Sequence, residues 1–258
     1  MNLDNPSTEL LFSTARIQSK NGKGTGFFIS IPTKNENNIP ILLTNHHVIR
    51  DTRNICIDFF KLDIDNKKPI TDEKLTVEID TNPFLDFQSE KLDIAFIPIA
   101  PIIEQLTAKK VQLFFKAVTP NIACSSEQEA ELGSIEDVTF IGYPYGLQEK
   151  SNNLPIIRRG ITATPVWSNF AQENHNETFL IDAGVFPGSS GSPVFIYNHG
   201  SYSNGLNLVM GTRIIFLGML KTSLRDNHNK QFIGLGEVIK AKTIFNFIKE
   251  KLNIDRIR

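Results

Sequence analysis

The sequence predicts an all-β protein of two six-stranded antiparallel β-barrels followed by a C-terminal α-helix. Three observations point there. Short runs of β-branched and aromatic residues recur at close spacing, each ended by Gly, Asn, Asp, Ser or Pro. The runs fall into two sets of about six, separated by residues 101–131. Only at the C-terminal end does the apolar period change: Ile244, Ile248 and Leu252 recur every four residues with Phe245 on the same face, as in an amphipathic helix.

The first set occupies residues 1–100. Thr14 to Gln18 alternates, Asn21-Gly-Lys-Gly24 is a turn signal, and Gly26 to Ile31 is strand-like. A polar loop from Pro32 to Asn38 leads into the buried strand Ile41 to Thr44. The runs Asn54 to Phe60 and Leu75 to Ile79 flank a charged hairpin tip at Asp65 to Lys68, and Leu92 to Pro98 closes the set. Residues 101–131 read as a connection with a short helical turn near Glu104 to Lys109 and the apolar Val111 to Phe115. It is too apolar to be freely solvated, so it is expected to pack on the surface. The second set, within 132–240, comprises Val138 to Gly142, Ile156 to Ala163, Thr178 to Ile181, Pro193 to Tyr197, Ile214 to Leu220 and Phe232 to Ile239. The Gly-, Asn- and Ser-rich tract from Asn198 to Asn207 reads as a loop tip. The helix fills 241–258, and its Phe/Ile stripe is expected to be core packing.

The 258 residues are 40% hydrophobic, enough for a sizeable core, and carry a net charge of −1. That balance excludes a global field for nucleic acid or anionic membranes. Neither a signal peptide nor an apolar run long enough to span a bilayer is visible, so a cytoplasmic location is expected. Cys56 and Cys124 are far apart without metal-type spacing and read as free buried thiols. His175, His199 and His228 lie in separate polar loops, so no metal and no cofactor are expected. Asn176-Glu177-Thr178 matches a glycosylation acceptor, which means nothing without secretion.

Chemistry centres on Asp182 to Phe195, which places Gly188, Ser189, Ser190, Gly191 and Ser192 in a row before Pro193. Small residues permit a tight turn whose N–H groups converge, and a hydroxyl within it can act as a nucleophile beside an oxyanion site. Alone this is an ordinary turn before a strand. The adjacent His46-His47, after a buried strand, offers an imidazole base, and Asp93 is an acid within an apolar run, where a carboxylate needs a partner. The chain order His, Asp, Ser is that of one known nucleophilic triad.

Here the sequence resembles the trypsin/chymotrypsin-fold serine peptidases, most closely the bacterial HtrA/DegP-type protease domain, from about Ala15 to Leu252. Gly24-Thr-Gly-Phe resembles that family's Gly-Ser-Gly-Phe, and Thr44-Asn-His-His-Val-Ile resembles its Thr-Asn-Asn-His-Val-Val. Asp93-Ile-Ala-Phe-Ile resembles the strand of the orienting acid, and Ile141-Gly-Tyr-Pro-Tyr-Gly-Leu resembles Ile-Gly-Asn-Pro-Phe-Gly-Leu. Asp182 to Pro193 resembles Asp-Ala-Ala-Ile-Asn-Pro-Gly-Asn-Ser-Gly-Gly-Pro, and Ile233 to Ile239 resembles the last strand before the helix.

The resemblance implies a chymotrypsin-like fold and a triad of His47, Asp93 and Ser190. It also implies an oxyanion hole from the N–H groups of Gly188 and Ser190, and a specificity pocket formed by Gly184, Val185, Leu220, Lys221 and Thr222. A glycine at 184, where trypsins carry an acid, supplies no countercharge for Lys or Arg, and Val185 with the Leu220 to Ser223 edge as the other wall implies cleavage after small or medium apolar residues. Ser189 and Ser192 depart from the family's Asn and Gly. Ser189 also replaces the Asp that pairs with a newly cut N-terminus in zymogen-activated trypsins, so no such latch is expected. The connection is longer than the family's, and no PDZ module follows Arg258. Protein or peptide substrates are expected, with a regulatory protein partner allowed for and neither nucleic acid nor membrane. The alternative is a latent or non-catalytic protease-fold protein acting as a partner-regulated effector or binding module.

Overall fold

The structure, a computed structural model, describes residues 2–20, 22–33, 38–170, 177–205, 207–226, 228 and 231–254. The turn residue Asn21, positions 34–37 of the polar loop, His175 and Asn176 lie outside the described residues. A short helix α1 (Pro6–Leu11), capped by the Asn5 side chain on the Ser7 N–H, opens the fold. It is not expected from the sequence, because six residues hold too little periodicity.

In the N-terminal half, β1 (Thr14–Ser19), β2 (Gly22–Pro32) and β3 (Asn38–Thr44) are followed by the single-turn helix α2 (His46–Ile49). Then come β4 (Asn54–Asp63), β5 (Lys68–Asp80), β6 (Gln88–Ser89) and β7 (Ile94–Pro98). The connection contains α3 (Ala100–Ala108), β8 (Leu113–Phe114) and α4 (Ser126–Glu131), the last with a Ser125/Gln128 capping box. The C-terminal half has β9 (Asp137–Gly142), β10 (Ile156–Thr162), β11 (Thr178–Asp182), β12 (Pro193–Asn198), β13 (Ser201–Asn204), β14 (Asn207–Met210), β15 (Arg213–Arg225) and β16 (Phe232–Lys240), and ends in α5 (Ala241–Leu252).

The C-terminal strands close a six-stranded barrel in the order β10-β11-β16-β15-β12-β9. The N-terminal strands form an eight-stranded sheet in the order β5-β4-β1-β2-β3-β7-β6, with β8 on β4. The expected pair of six-stranded barrels is thus met in one closed barrel. In the N-terminal half the hydrogen-bonded path ends at β5 and at the two-residue β6. The long β4–β5 ribbon extends past its neighbours and takes up β8 from the connection. The supposed loop tip after Asn198 is also corrected: Ser201 to Met210 fold into the β13–β14 hairpin.

The continuous apolar runs are explained by strands that face two cores. On β12, Val194 and Ile196 point into the closed barrel with Phe140, Phe179, Leu217 and Val238. Phe195, between them, points the other way, into a cluster shared by both halves and α5. There Phe27, Ile29, Leu43 and Phe96 of the N-terminal sheet meet Phe216, Met219 and Ile239, sealed by Ile244, Phe247 and Ile248 of α5. Leu42, Ala95 and Ile97, from the opposite face of their strands, enter a third cluster. A period of two therefore serves two interiors at once, and burial on both faces replaces the polar/apolar alternation of a half-exposed sheet. The α5 stripe is core, as its spacing predicts.

The connection packs onto both halves through bridges pairing Val118 with Ile29 and Ala123 with Phe216. Lys240 Nζ lies 2.6 Å from Glu129 Oε1 with both side chains largely buried, which ties α4 to the barrel. Cys56 and Cys124 are free and half-buried rather than fully buried. Burial, then the Glu129 carboxylate, pushes the Cys124 thiol up to about 12. Among the described residues no helix is long and apolar enough to cross a membrane.

Candidate active site

His47 sits on α2, directly after β3. A one-turn helix leaves its first N–H groups without intrahelical partners, and the His47 N–H donates to Asp93 Oδ1 at 3.0 Å. The same carboxylate receives the ring: His47 Nδ1 lies 2.8 Å from Asp93 Oδ2 and 3.0 Å from Oδ1. One acid thus fixes both the backbone and the imidazole of one residue. With Nδ1–H given to Asp93, Nε2 is left as the acceptor. His46 lines a separate depression with Gln88 and Glu90.

Asp93 does not lie within a strand, as expected, but just before β7 in the left-handed region, φ 56°. Asp tolerates that conformation because its short side chain bonds locally. Asn45 Nδ2 holds the Asp93 carbonyl at 3.0 Å, which helps present the carboxylate to His47.

Ser190 is half-buried and lines one cleft with His47, Gly188, Phe186, Pro187, Thr222, Ser223, Lys23 and Arg225. Among the described residues its hydroxyl has no hydrogen-bond partner. Ser189 and Ser192 are buried, and among the described residues their hydroxyls have no partner and do not line the cleft. Burial therefore separates Ser190 from its two neighbours.

The turn around Ser190 is held from outside. The Pro187 carbonyl accepts from the Tyr145 N–H at 2.6 Å, and the Gly188 carbonyl accepts from the Thr25 hydroxyl at 3.0 Å. The Ser189 carbonyl accepts from the Ser192 N–H at 3.0 Å. In a trans peptide the N–H points opposite to its C=O. Fixing the Pro187 and Ser189 carbonyls therefore turns the N–H groups of Gly188 and Ser190 the other way, and among the described residues neither donates to a protein acceptor. Gly188 and Gly191 have φ of 89° and 87°. A Cβ on Gly188 would lie 2.6 Å from the Tyr143 carbonyl oxygen, and one on Gly191 would overlap that of Thr25. Only glycine fits either place.

Sequence reasoning did not single out Thr25 or the Tyr143–Gly146 turn as parts of the site. Besides its bond to Gly188, the Thr25 hydroxyl accepts from the Tyr143 N–H at 3.0 Å, and the Thr25 N–H donates to the Ser190 carbonyl at 2.9 Å. The available signals were the Gly-Thr-Gly and Ile-Gly-Tyr-Pro-Tyr-Gly matches, which mark these segments without saying what they hold.

Of the expected pocket residues, Thr222 lines the cleft. Val185 and Leu220 are buried in the barrel core, where both close on Gly236: a Cβ there would meet their side chains at 2.5 and 3.0 Å. Lys221 pairs with Glu237 at 3.1 Å, and the Gly184 N–H donates to the Gly234 carbonyl. Among the described residues the cleft lining carries Lys23 and Arg225 and no carboxylate. Elsewhere, His199 Nδ1 lies 3.1 Å from Thr212 Oγ1, and the His228 N–H donates to Asp226. Among the described residues no group of three or more His, Cys, Asp or Glu could hold a metal ion.

A profile of the trypsin-like peptidase domain family matches residues 24–201. No curated protein matches the sequence. Among solved structures, the HtrA-type protease AlgW, as a serine-to-alanine variant with a tripeptide, superposes with a TM-score of 0.56 at 14% identity. The match covers 99% of this chain and 65% of that one. Rv3671c from M. tuberculosis H37Rv, as a serine-to-alanine mutant in an inactive form, matches with a TM-score of 0.49 at 15% identity over 99% of this chain and 95% of that one. At 14% identity the likeness to AlgW is one of fold.

Proposed function

The chain belongs to the trypsin-like peptidase domain family, and from that footing we propose that it is a serine endopeptidase acting through His47, Asp93 and Ser190. The observation that carries the reading is the bonded His47–Asp93 pair facing one cleft with Ser190 and with the unpartnered N–H groups of Gly188 and Ser190. Ser190 Oγ attacks the scissile carbonyl carbon while His47 Nε2 takes its proton. Asp93 holds the imidazole tautomer and stabilises the imidazolium. The carbonyl oxygen becomes an oxyanion received by the Gly188 and Ser190 N–H groups. The C–N bond breaks, His47 returns the proton to the departing amine, and water repeats the sequence on the acyl-enzyme.

In this reading residues 1–100 form the unit that carries His47 and Asp93, counterpart of the first barrel of a chymotrypsin-like pair. Residues 132–240 carry Ser190, 101–131 connect the two, and 241–258 close the C-terminal end. The residue before the cut is small or medium and apolar in this reading, because Gly184 stands where an acidic residue would be needed to pair with a cationic side chain. The cationic lining disfavours Lys or Arg there.

A fluorophosphonate probe tests the chemistry. The expected result is labelling of the intact protein and cleavage of protein substrate, both lost in Ser190→Ala with the fold retained. Full proteolysis by Ser190→Ala would overturn the assignment. One observation favours a second reading, a latent protease that a partner switches on: the resting Ser190 hydroxyl makes no bond to His47. Labelling that appears only on addition of a partner would establish that reading. A peptide library cut mainly after Lys or Arg would refute the specificity.

A further inference from the structure

We propose that Arg16, anchored by Asp58, is a positioning residue that holds the oxyanion turn in shape by pinning the Tyr143–Gly146 turn on which it rests. The proposal rests on the serine-peptidase reading above.

Ser189 offers no carboxylate to latch the turn, and its hydroxyl is buried with no partner among the described residues. The orientation of the Pro187–Gly188 peptide must therefore be set by a neighbour. That neighbour is the Tyr145 N–H, 2.6 Å from the Pro187 carbonyl. If it withdrew, glycine's freedom at 188 would let the peptide rotate and turn a carbonyl into the oxyanion site. The Tyr145 N–H is not held by its own turn alone. Tyr145 has a left-handed backbone (φ 53°, ψ 18°), unfavourable for a residue with a bulky side chain.

What anchors this turn comes from the other half of the molecule. Arg16 Nη1 donates to the Gly146 carbonyl at 3.1 Å, across 130 positions of sequence. Its Nε and Nη2 both bond Asp58 Oδ2, at 2.8 and 2.7 Å, and the Thr76 hydroxyl fixes the other Asp58 oxygen at 2.6 Å. The Arg16 and Asp58 side chains are only 13% and 8% exposed. An ion pair serving β1 and β4 alone would need two of the guanidinium N–H directions. The third is aimed at the turn beneath Gly188, and a rigid fork serves both ends where an ammonium serves one.

The test measures kcat and KM on a peptide substrate, with affinities for a peptide boronate, which forms the oxyanion, and for the matching product peptide, which does not. Arg16→Met is expected to lower kcat by about 10²-fold, the scale of a misplaced catalytic group. KM and product affinity should hold while boronate affinity falls in parallel. Arg16→Lys should fail to rescue, and Asp58→Asn should shift both quantities the same way. Lys74→Met removes a neighbour 3.4 Å from the same Asp58 oxygen that does not touch the turn, and should leave kcat unchanged. A folded Arg16→Met with wild-type kcat, or with boronate and product affinities falling together, would overturn the proposal. Should Arg16→Met not fold, Asp58→Asn decides by the same readouts. A wild-type protein that neither labels with fluorophosphonate nor cleaves peptide, alone or with an added partner, overturns the peptidase reading, and the latch with it. An active wild type with unaffected variants overturns the latch alone.

Discussion

Replacing Thr25 by valine keeps the shape of the side chain and removes its hydroxyl. Thr25 is fully buried, and its hydroxyl closes two bonds of 3.0 Å, one from the Tyr143 N–H and one to the Gly188 carbonyl. Valine leaves both backbone groups buried and unpaired. Each orphaned group costs about 1–3 kcal/mol, so the loss is about 2–6 kcal/mol. Against a domain stability of about 5–15 kcal/mol, the fold survives at reduced margin. Thr25→Ser restores the hydroxyl and drops one methyl, a loss of about 1 kcal/mol. Urea unfolding followed by far-UV circular dichroism gives the stability difference between the two variants, and kcat on a peptide reports the oxyanion turn. Valine should be the less stable and the slower of the pair. If Val and Ser variants unfolded within about 0.5 kcal/mol of each other, near the scatter of surface substitutions, the node would not be structural as reasoned.

Three further outcomes are expected. Asp93→Asn should keep the fold and lower kcat by about 10⁴-fold, because an amide favours the wrong imidazole tautomer; steady-state kinetics on purified protein check this. Gly191→Ala must move the Thr25 carbonyl as well as adopt φ 87°, so thermal unfolding should show a loss above the roughly 1–2 kcal/mol of left-handed backbone alone. Cys124, with its thiol pushed up to about 12, should resist iodoacetamide at pH 8 in the native protein and react once unfolded. Because the unfolded thiol releases its proton at lower pH than the native one, this group's contribution to stability is lost as pH rises from about 9 towards 12.

Residues that must be of one kind were visible in the sequence, and residues that matter through geometry were not. Ser190 stood out because glycines flank it, and the structure ties that pattern to the backbone angles at Gly188 and Gly191. The six C-terminal strands and α5 appear where apolar runs and a four-residue period put them, since strand burial on both faces writes itself as Val194-Phe195-Ile196. By contrast, α1 was too short to carry a period. Asp93 was read inside a strand because its neighbours are apolar, whereas its left-handed backbone ends the preceding turn. Thr25 and Arg16 look ordinary in sequence. Their roles come from partners 118 and 130 positions away, and no local pattern records a contact of that range. The open N-terminal path was hidden for a related reason: strand lengths depend on ribbon pairing beyond the barrel, as between β4 and β5.

The connection has a consequence for covalent continuity. Its α3 ends at the exposed pair Lys109 and Lys110, while three points after it pair with the two halves: Phe114 with Phe60, Val118 with Ile29, and Ala123 with Phe216. A backbone nick at that pair leaves the downstream fragment stitched into the upstream sheet, and the two pieces still share the Phe27–Phe216 core. Cleavage there by an added protease that cuts after lysine would then yield an interlocked two-piece protein, with His47 and Ser190 on different pieces and still facing one cleft.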